Sequence, residues 1–215
     1  DNNAPKTMNA HLHVLEAYTL LYQCWKDNGL KKRLEFCVDL FINRIYDPSR
    51  RHFNLFFDNE WNSLVEMDSY GHDVETGWLL CEAARTLENQ DLIEQTNQLA
   101  LDVTEACLAE GMSDKGYMIY EKKGDRKTKH ASWWGQIETV IACVNAWQIS
   151  GSDVYLQSVD TVWTFVKDHM VDKEYGEWYS DCFDGEPKKE APKVSMWRCP
   201  YHTVRLGVEM YNRLK

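Results

Sequence analysis

Apolar and polar positions along the chain predict seven helices of two alternating kinds. Helices of the first kind are apolar on most faces, which is typical of helices with neighbours on several sides. Helices of the second kind are apolar along one face only, at helical spacing, and short polar turns join the two kinds. The predicted helices cover residues 8–27, 30–46, 71–88, 91–109, 132–149, 153–170 and 201–214.

The pair of helices recurs about every 60 residues, and such a period is typical of helical repeats whose neighbours share a core. We therefore expect an all-α fold with inner and outer helices, of the (α/α)-barrel type; a simple helical bundle is the alternative. The longer loops, with a short irregular hairpin at 51–61 and a strand at 116–120, are expected to form the rim of a pocket. The pattern predicts one domain over residues 1–215.

The composition favours a binding concavity and argues against a polyanionic partner. Aromatic residues make up 13% of the 215 residues, including 9 Trp and 11 Tyr, which favours a pocket lined with rings over ordinary core packing alone. The formal net charge is −10 and no uninterrupted basic cluster occurs. Nucleic acids and anionic membranes are therefore not expected as partners.

The cysteines favour a reducing compartment. There are 7 of them, an odd number, without a CxxC pair, and most lie in apolar helical runs where cysteine acts as a small hydrophobe. Neither a disulfide framework nor a zinc site is expected. Since no apolar run reaches the length of a membrane span and no signal peptide is visible, we expect a cytoplasmic protein.

Polar and aromatic side chains recur near the starts of the inner helices. On the helix over 71–88, His72, Glu75 and Trp78 are three apart and share one stripe. Trp134 and Glu138 are likewise one turn apart on the helix over 132–149. For each segment alone, a satisfied core group, such as a buried His–Glu hydrogen bond, is the simpler interpretation.

Two further segments occupy matching positions of the repeat. His202 begins the last helix, with Pro200 well placed for a first turn. His11 and His13 lie in the first helix, and because they are two apart at most one can face a shared pocket. Four such segments in register favour a common pocket over coincidence.

The residue types expected in the pocket suit chemistry on a sugar. Two histidines can act as base and acid near neutral pH, carboxylates can orient them, and Trp rings pack against the C–H face of a sugar. His72 and Glu75 resemble half of a carboxylate–histidine metal site, but no second pair occurs, so we expect no metal. Paired carboxylates also allow glycoside hydrolysis, whereas the histidines favour proton abstraction beside a carbonyl.

Four segments resemble the cellobiose 2-epimerases of the N-acylglucosamine 2-epimerase superfamily. They are residues 6–18 (KTMNAHLHVLEAY), 71–75 (GHDVE), 133–138 (WWGQIE) and 197–202 (WRCPYH), in that family's order and spacing. The resemblance implies a barrel of six inner and six outer helices, of which this chain is the C-terminal half or slightly more. The missing N-terminal part would supply further pocket residues, including an arginine. Thr203 and Val204 depart from the polar–small pair that the resemblance implies after His202.

The resemblance also implies a reaction: epimerisation at C2 of the reducing-end glucose of cellobiose or a related β-1,4 disaccharide. It would proceed through a cis-enediolate without metal or organic cofactor, in a protein that is monomeric when complete. The resemblance assigns His72 and His202 as the acid/base pair and His13 as the group that assists ring opening. It assigns sugar binding to Glu75, Trp78, Trp134, Glu138 and Trp197.

Other functions remain open on the sequence. Within the same superfamily these are an N-acylglucosamine 2-epimerase and an aldose–ketose isomerase acting on mannose or a sulfosugar. A carbohydrate-binding helical protein without catalysis and a glycoside hydrolase are the alternatives from other classes.

Overall fold

The computed structural model describes residues 3–215, and all seven predicted helices are present in it. Two of the outer helices, α2 and α6, each continue into a wide π-helical turn, at Phe41–Ile45 and Val166–Met170. The helices are α1 (Met8–Cys24), α2 (Asn28–Leu40), α3 (Tyr70–Leu87), α4 (Gln90–Gly111), α5 (Trp133–Ser150), α6 (Val154–Phe165) and α7 (Tyr201–Arg213).

The helices form two layers. Helices α1, α3, α5 and α7 contact one another in succession, and α2, α4 and α6 pack against this inner arc from outside. Helices α3 and α5 are buried on most faces, as predicted for inner helices. The main hydrophobic core lies between the layers and includes Leu34, Leu80, Val103 and Ile141.

Helix α1 differs from the prediction in length and burial. It ends at Cys24 because Asp27 begins the next helix, its Oδ1 accepting a hydrogen bond from Leu30 N at 2.9 Å. Only one face of α1 is buried, whereas Leu20 and the residue that follows the helix, Trp25, are each 57% exposed. The apolar residues on its other side therefore lack the neighbours that the sequence pattern predicts.

Gly71 lies inside the first turn of α3. A Cβ atom at this position would lie 2.7 Å from the Trp134 ring and 3.1 Å from Gly135 Cα. The residue is therefore required for the close approach of α3 to α5, and the helix begins one residue before it. This contact brings the starts of two inner helices together.

The loops carry short antiparallel strands that hold the rim of the inner arc. The predicted hairpin over 51–61 is present only in part: residues 52–53 and 56–57 pair with different partners, but Phe57 bridges Ser63 across the turn that begins at Asp58. The predicted strand over 116–120 was wrong, because Met118 makes only a single bridge to Met112. The sheets pair β1 with β4, β2 with β3, β5 with β6 and β7, and β8 with β9 and β10. The strands are β1 (Lys6–Thr7), β2 (Tyr46–Asp47), β3 (His52–Phe53), β4 (Phe56–Phe57), β5 (Met67–Asp68), β6 (Lys122–Lys123), β7 (Arg126–Lys127), β8 (His130–Ser132), β9 (Asp181–Phe183) and β10 (Glu186–Pro187).

Among the residues described, no helix has both the length and the apolar character needed to cross a bilayer.

Candidate functional site

A cavity of about 370 Å³ lies near the N-terminal ends of the four inner helices. It brings together six of the eight predicted site residues, namely His13, His72, Glu75, Trp134, Trp197 and His202. Trp78 and Glu138 are buried behind its wall. The remaining lining residues are Asn9, Tyr120, His130, Ser132, Trp133 and Asp181.

His202 is oriented by a buried carboxylate. Its Nδ1 lies 2.7 Å from Glu138 Oε1, and Glu138 has no exposed side-chain surface. An ionised carboxylate only accepts hydrogen bonds, so the network assigns the proton to Nδ1 and leaves Nε2 with a free lone pair. This pairing stabilises a positive charge on the imidazole when Nε2 takes up a proton.

His72 has a different environment. Its Nδ1 lies 2.8 Å from the Ser69 hydroxyl, and the buried His–Glu hydrogen bond considered from the sequence is not formed. Burial, together with the charges on His13 and His202, lowers the pKa of His72 to about 4. His72 is therefore neutral at physiological pH, and its hydroxyl partner, which both donates and accepts, is compatible with either tautomer.

The two imidazoles share one aromatic neighbour. The ring centre of Trp134 lies 4.6 Å from that of His72 and 5.7 Å from that of His202. Trp134 is held at this position by the start of α5 and by the close approach at Gly71. An indole in this place provides a flat apolar surface between two titratable groups.

Arg205, which the sequence analysis missed, connects three inner helices. Its guanidinium donates to Glu16 Oε1 at 2.7 Å, to Glu75 Oε1 at 2.7 Å and to Glu138 Oε1 at 3.0 Å. These carboxylates belong to α1, α3 and α5, while Arg205 belongs to α7. The spacing from His202 could have revealed it, because residues three apart lie on one stripe of a helix.

The two innermost carboxylates are electrostatically coupled. Burial, together with the negative charge of Glu138, raises the pKa of Glu75, and Arg205 opposes this rise. Glu75, Glu138 and His202 hold ligand atoms within 4.8 Å of one another. The Arg205 guanidinium already occupies the position between the two carboxylates, so a metal ion would have to compete with it.

Trp78 lies outside the cavity that holds the histidines. It is 3% exposed, its indole N–H donates to Glu138 Oε2 at 2.9 Å, and the Arg205 guanidinium lies 5.3 Å from its ring centre. It lines a second cavity, of about 650 Å³, together with Glu16 and Arg205. Both oxygens of Glu138 are thus engaged by protein groups rather than facing the histidine cavity.

The first helix contributes one histidine, as its spacing predicts. His13 lines the cavity and its Nδ1 lies 3.2 Å from Glu16 Oε2, a hydrogen bond that raises the pKa of His13. His11 instead packs edge-on against Trp61, with ring centres 5.2 Å apart.

The loops add a histidine–aspartate pair that the sequence analysis did not single out. His130 Nε2 lies 2.6 Å from Asp181 Oδ1, and the antiparallel pairing of β8 with β9 brings these loop segments together. Helical periodicity carries no signal for such a pair.

Thr203 and Val204, the two departures from the expected motif after His202, do not line the histidine cavity. Thr203 donates to Pro200 O at 3.1 Å, and Val204 lines the cavity of about 650 Å³.

Residues 1–205 match the model of the N-acylglucosamine 2-epimerase (GlcNAc 2-epimerase) family, and the chain belongs to this family. A cellobiose 2-epimerase of Bacteroides fragilis is 41% identical over 215 residues, which cover 98% of this chain and 54% of the relative.

Two solved structures support the same assignment of fold. The chain superimposes with a TM-score of 0.95 on a sugar epimerase from a ruminal bacterium, at 35% identity and covering 99% of this chain and 56% of that one. For the cellobiose 2-epimerase of Bacillus thermoamylovorans B4167 the TM-score is 0.94, at 35% identity and 98% and 54% coverage. The seven helices therefore form part of an (α/α)6 barrel, as predicted. The chain spans about half the length of the curated relatives it matches.

Proposed function

We propose that this chain carries the acid/base groups of a sugar 2-epimerase that converts the reducing-end glucose of cellobiose, or of a related β-1,4 disaccharide, to mannose. One observation carries the proposal: two imidazoles with different partners pack on the same indole in one cavity. The cavity volume of about 370 Å³ falls in the range of small-ligand sites. Family membership and the names of the relatives support the choice of reaction and substrate.

The proposed chemistry is proton transfer at C2 of the open-chain aldehyde. One imidazole removes the C2 proton, the electron pair forms the C1–C2 double bond, and the aldehyde oxygen becomes the enediolate oxygen. Return of a proton to C2 from the opposite face gives the other epimer. His202 has the free Nε2 lone pair that a base requires. His72 is neutral when the sugar binds, so it takes up a proton from solvent water before it delivers one to C2, and His202 later releases the proton that it removed to solvent.

The remaining cavity residues would prepare the substrate. His13, whose raised pKa keeps more of it protonated near neutral pH, is suited to donate a proton to the ring oxygen during ring opening. Trp134 and Trp197 line the cavity and offer apolar surface to the sugar rings. Glu75 lines the same cavity and is the carboxylate placed to accept hydrogen bonds from sugar hydroxyls.

Glu138 and Trp78 are assigned positioning roles rather than sugar contacts. Glu138 is fully buried and accepts hydrogen bonds from His202, Trp78 and Arg205. A carboxylate with these partners holds the imidazole in one tautomer and stabilises its protonated form.

The test is proton NMR of cellobiose incubated with protein in heavy water. Because the chain spans about half of its relatives, we would use both this chain and a chimera that adds the N-terminal half of the Bacteroides fragilis relative. The expected product is the mannose-ended disaccharide with deuterium at C2. A ketose product would indicate an aldose–ketose isomerase, and released glucose a hydrolase. Binding of cellobiose by the chimera without turnover would indicate a carbohydrate-binding protein, and each of these results would refute the proposal.

A further inference from the structure

A third cavity, of about 240 Å³ and lined by polar residues, shares no lining residue with the cavity that holds the catalytic histidines. Its walls come from the loop before β3, from β5, from the end of α4 and from β6. It contains His52, Asp68, Glu110 and Lys122, together with Arg50. The proposed epimerisation uses none of these side chains.

His52 points an unused nitrogen into this cavity. Its side chain is 2% exposed and its Nδ1 lies 2.7 Å from Asp73 Oδ2, while the other oxygen of Asp73 accepts from Phe53 N at 2.9 Å. With Asp73 accepting both hydrogen bonds, Nδ1 carries the proton and Nε2 has a free lone pair. Within the described residues, the buried Nε2 atom finds no hydrogen-bond partner.

Two carboxylates lie near that nitrogen, and Glu110 is at nearly the spacing of a metal ligand. Glu110 Oε1 lies 3.7 Å from Nε2, too far for a hydrogen bond. Two ligands on a tetrahedral ion with bonds of about 2.1 Å are separated by about 3.4 Å. His52, Asp68 and Glu110 together hold ligand atoms within 4.8 Å of one another, so a small contraction would complete the set.

We propose that His52, Asp68 and Glu110 form a binding site for a divalent first-row metal ion such as Zn²⁺, with Asp73 orienting the histidine. An imidazole with two carboxylates suits zinc and its neighbours, and a carboxylate on the far nitrogen of the histidine is the usual partner of a metal ligand. The cavity leaves room for water to complete the coordination.

Two cationic side chains near the site affect the binding of a metal ion. Arg50 donates only to Oδ1 of Asp68, at 2.7 Å, and does not engage Oδ2. Lys122 Nζ lies 3.4 Å from Glu110 Oε2 and 3.9 Å from Asp68 Oδ2, on a strand at the surface. This ammonium balances the two carboxylates in the metal-free chain, so the metal must displace it and Lys122 opposes binding.

A metal ion at this site would connect the loop strands to the segment that begins α3. Asp68 lies two residues before this helix, and Asp73, which holds His52, follows His72 directly. A bound ion would join β3, β5 and α4, and its role would be structural. It would stabilise the turn that carries His72 and take no part in the proton transfer.

The test is a titration of chelator-treated protein with Co²⁺, which is followed by the visible absorption of the bound ion. We expect one equivalent to bind, replaceable by Zn²⁺, and to raise the melting temperature. Glu110→Gln removes a ligand and should weaken binding at least tenfold. Its matched control Glu105→Gln removes the same charge from the same helix and should leave binding unchanged.

A gain-of-binding variant keeps the test independent of folding defects. Lys122→Met removes the competing charge and should tighten binding about tenfold. His202→Gln tests the separate group of possible ligands formed by Glu75, Glu138 and His202, and it should have no effect on Co²⁺ binding. The proposal is overturned if neither the natural chain nor Lys122→Met binds one equivalent, or if Glu110→Gln binds as well as Glu105→Gln.

Discussion

Replacing Arg205 by Met should destabilise the protein more at high pH than at low pH. The guanidinium is 8% exposed and is hydrogen-bonded to Glu16, Glu75 and Glu138 at 2.7 to 3.0 Å. Removing one partner of a buried ion pair costs about 3–5 kcal/mol because the other charges remain buried and unpaired. We expect a loss of this size near pH 8.

The pH dependence follows from the carboxylates left behind. Burial and the charge of Glu138 already raise the pKa of Glu75, and losing Arg205 removes the main opposing influence. A carboxyl whose folded pKa lies above its unfolded value contributes stability below the unfolded pKa, and this contribution is lost as the pH rises through the folded pKa. Each pKa unit corresponds to about 1.4 kcal/mol, so the deficit of the variant should shrink by at least that amount near pH 5.

The assay is urea unfolding followed by tryptophan fluorescence at both pH values. Arg213→Met on the same helix is the matched control, since Arg213 also lies against Trp78 but pairs with the partly exposed Glu82 and Glu209. We expect a smaller loss in the control, about 1–2 kcal/mol, with little change between the two pH values. Equal losses for the two variants, or a deficit for Arg205→Met that is the same at both pH values, would refute the reasoning.

Three further predictions concern packing, titration and catalysis. Gly71→Ala places a methyl 2.7 Å from the indole on α5 and should cost about 1–3 kcal/mol. Gly207→Ala, with no atom within 4 Å, should instead raise the melting temperature; equal melting temperatures would contradict this. In an NMR titration His72 should show a pKa near 4 and His13 one above its usual value, and the reverse order would count against the assigned roles. In the chimera, Glu138→Gln should lower kcat by about 10²–10⁴-fold with KM nearly unchanged, and an unchanged kcat would exclude its positioning role.

The helices and their two layers were predictable because helical spacing of apolar residues is a local signal. The register of the repeat placed His13, His72, Trp134 and His202 near one cavity, and the structure has them there. Apolar periodicity does not fix the helix boundaries, because single residues decide them. Asp27, for example, caps the following helix instead of extending the first.

Contacts between distant segments were not predictable from spacing. The Arg205 guanidinium binds carboxylates on three helices. These partners lie 67 to 189 residues away in the sequence, and no short motif indicates them. The pairing of His130 with Asp181 depends on two strands of three residues each, which are too short to give a periodic pattern. Trp78 shares the stripe of His72, but its indole turns toward Glu138 and the second cavity.

The central claim is that His72 and His202 act on C2 of the sugar from opposite faces. The most direct measurement is deuterium incorporation at C2 in the chimera and its His72→Gln and His202→Gln variants, followed by NMR from each epimer separately. We predict that the unchanged chimera interconverts the epimers with exchange at C2. Each variant should lose interconversion but still exchange the C2 proton of one epimer, a different one for each. Interconversion without deuterium uptake, or variants that interconvert the epimers at an unchanged rate, would contradict the account.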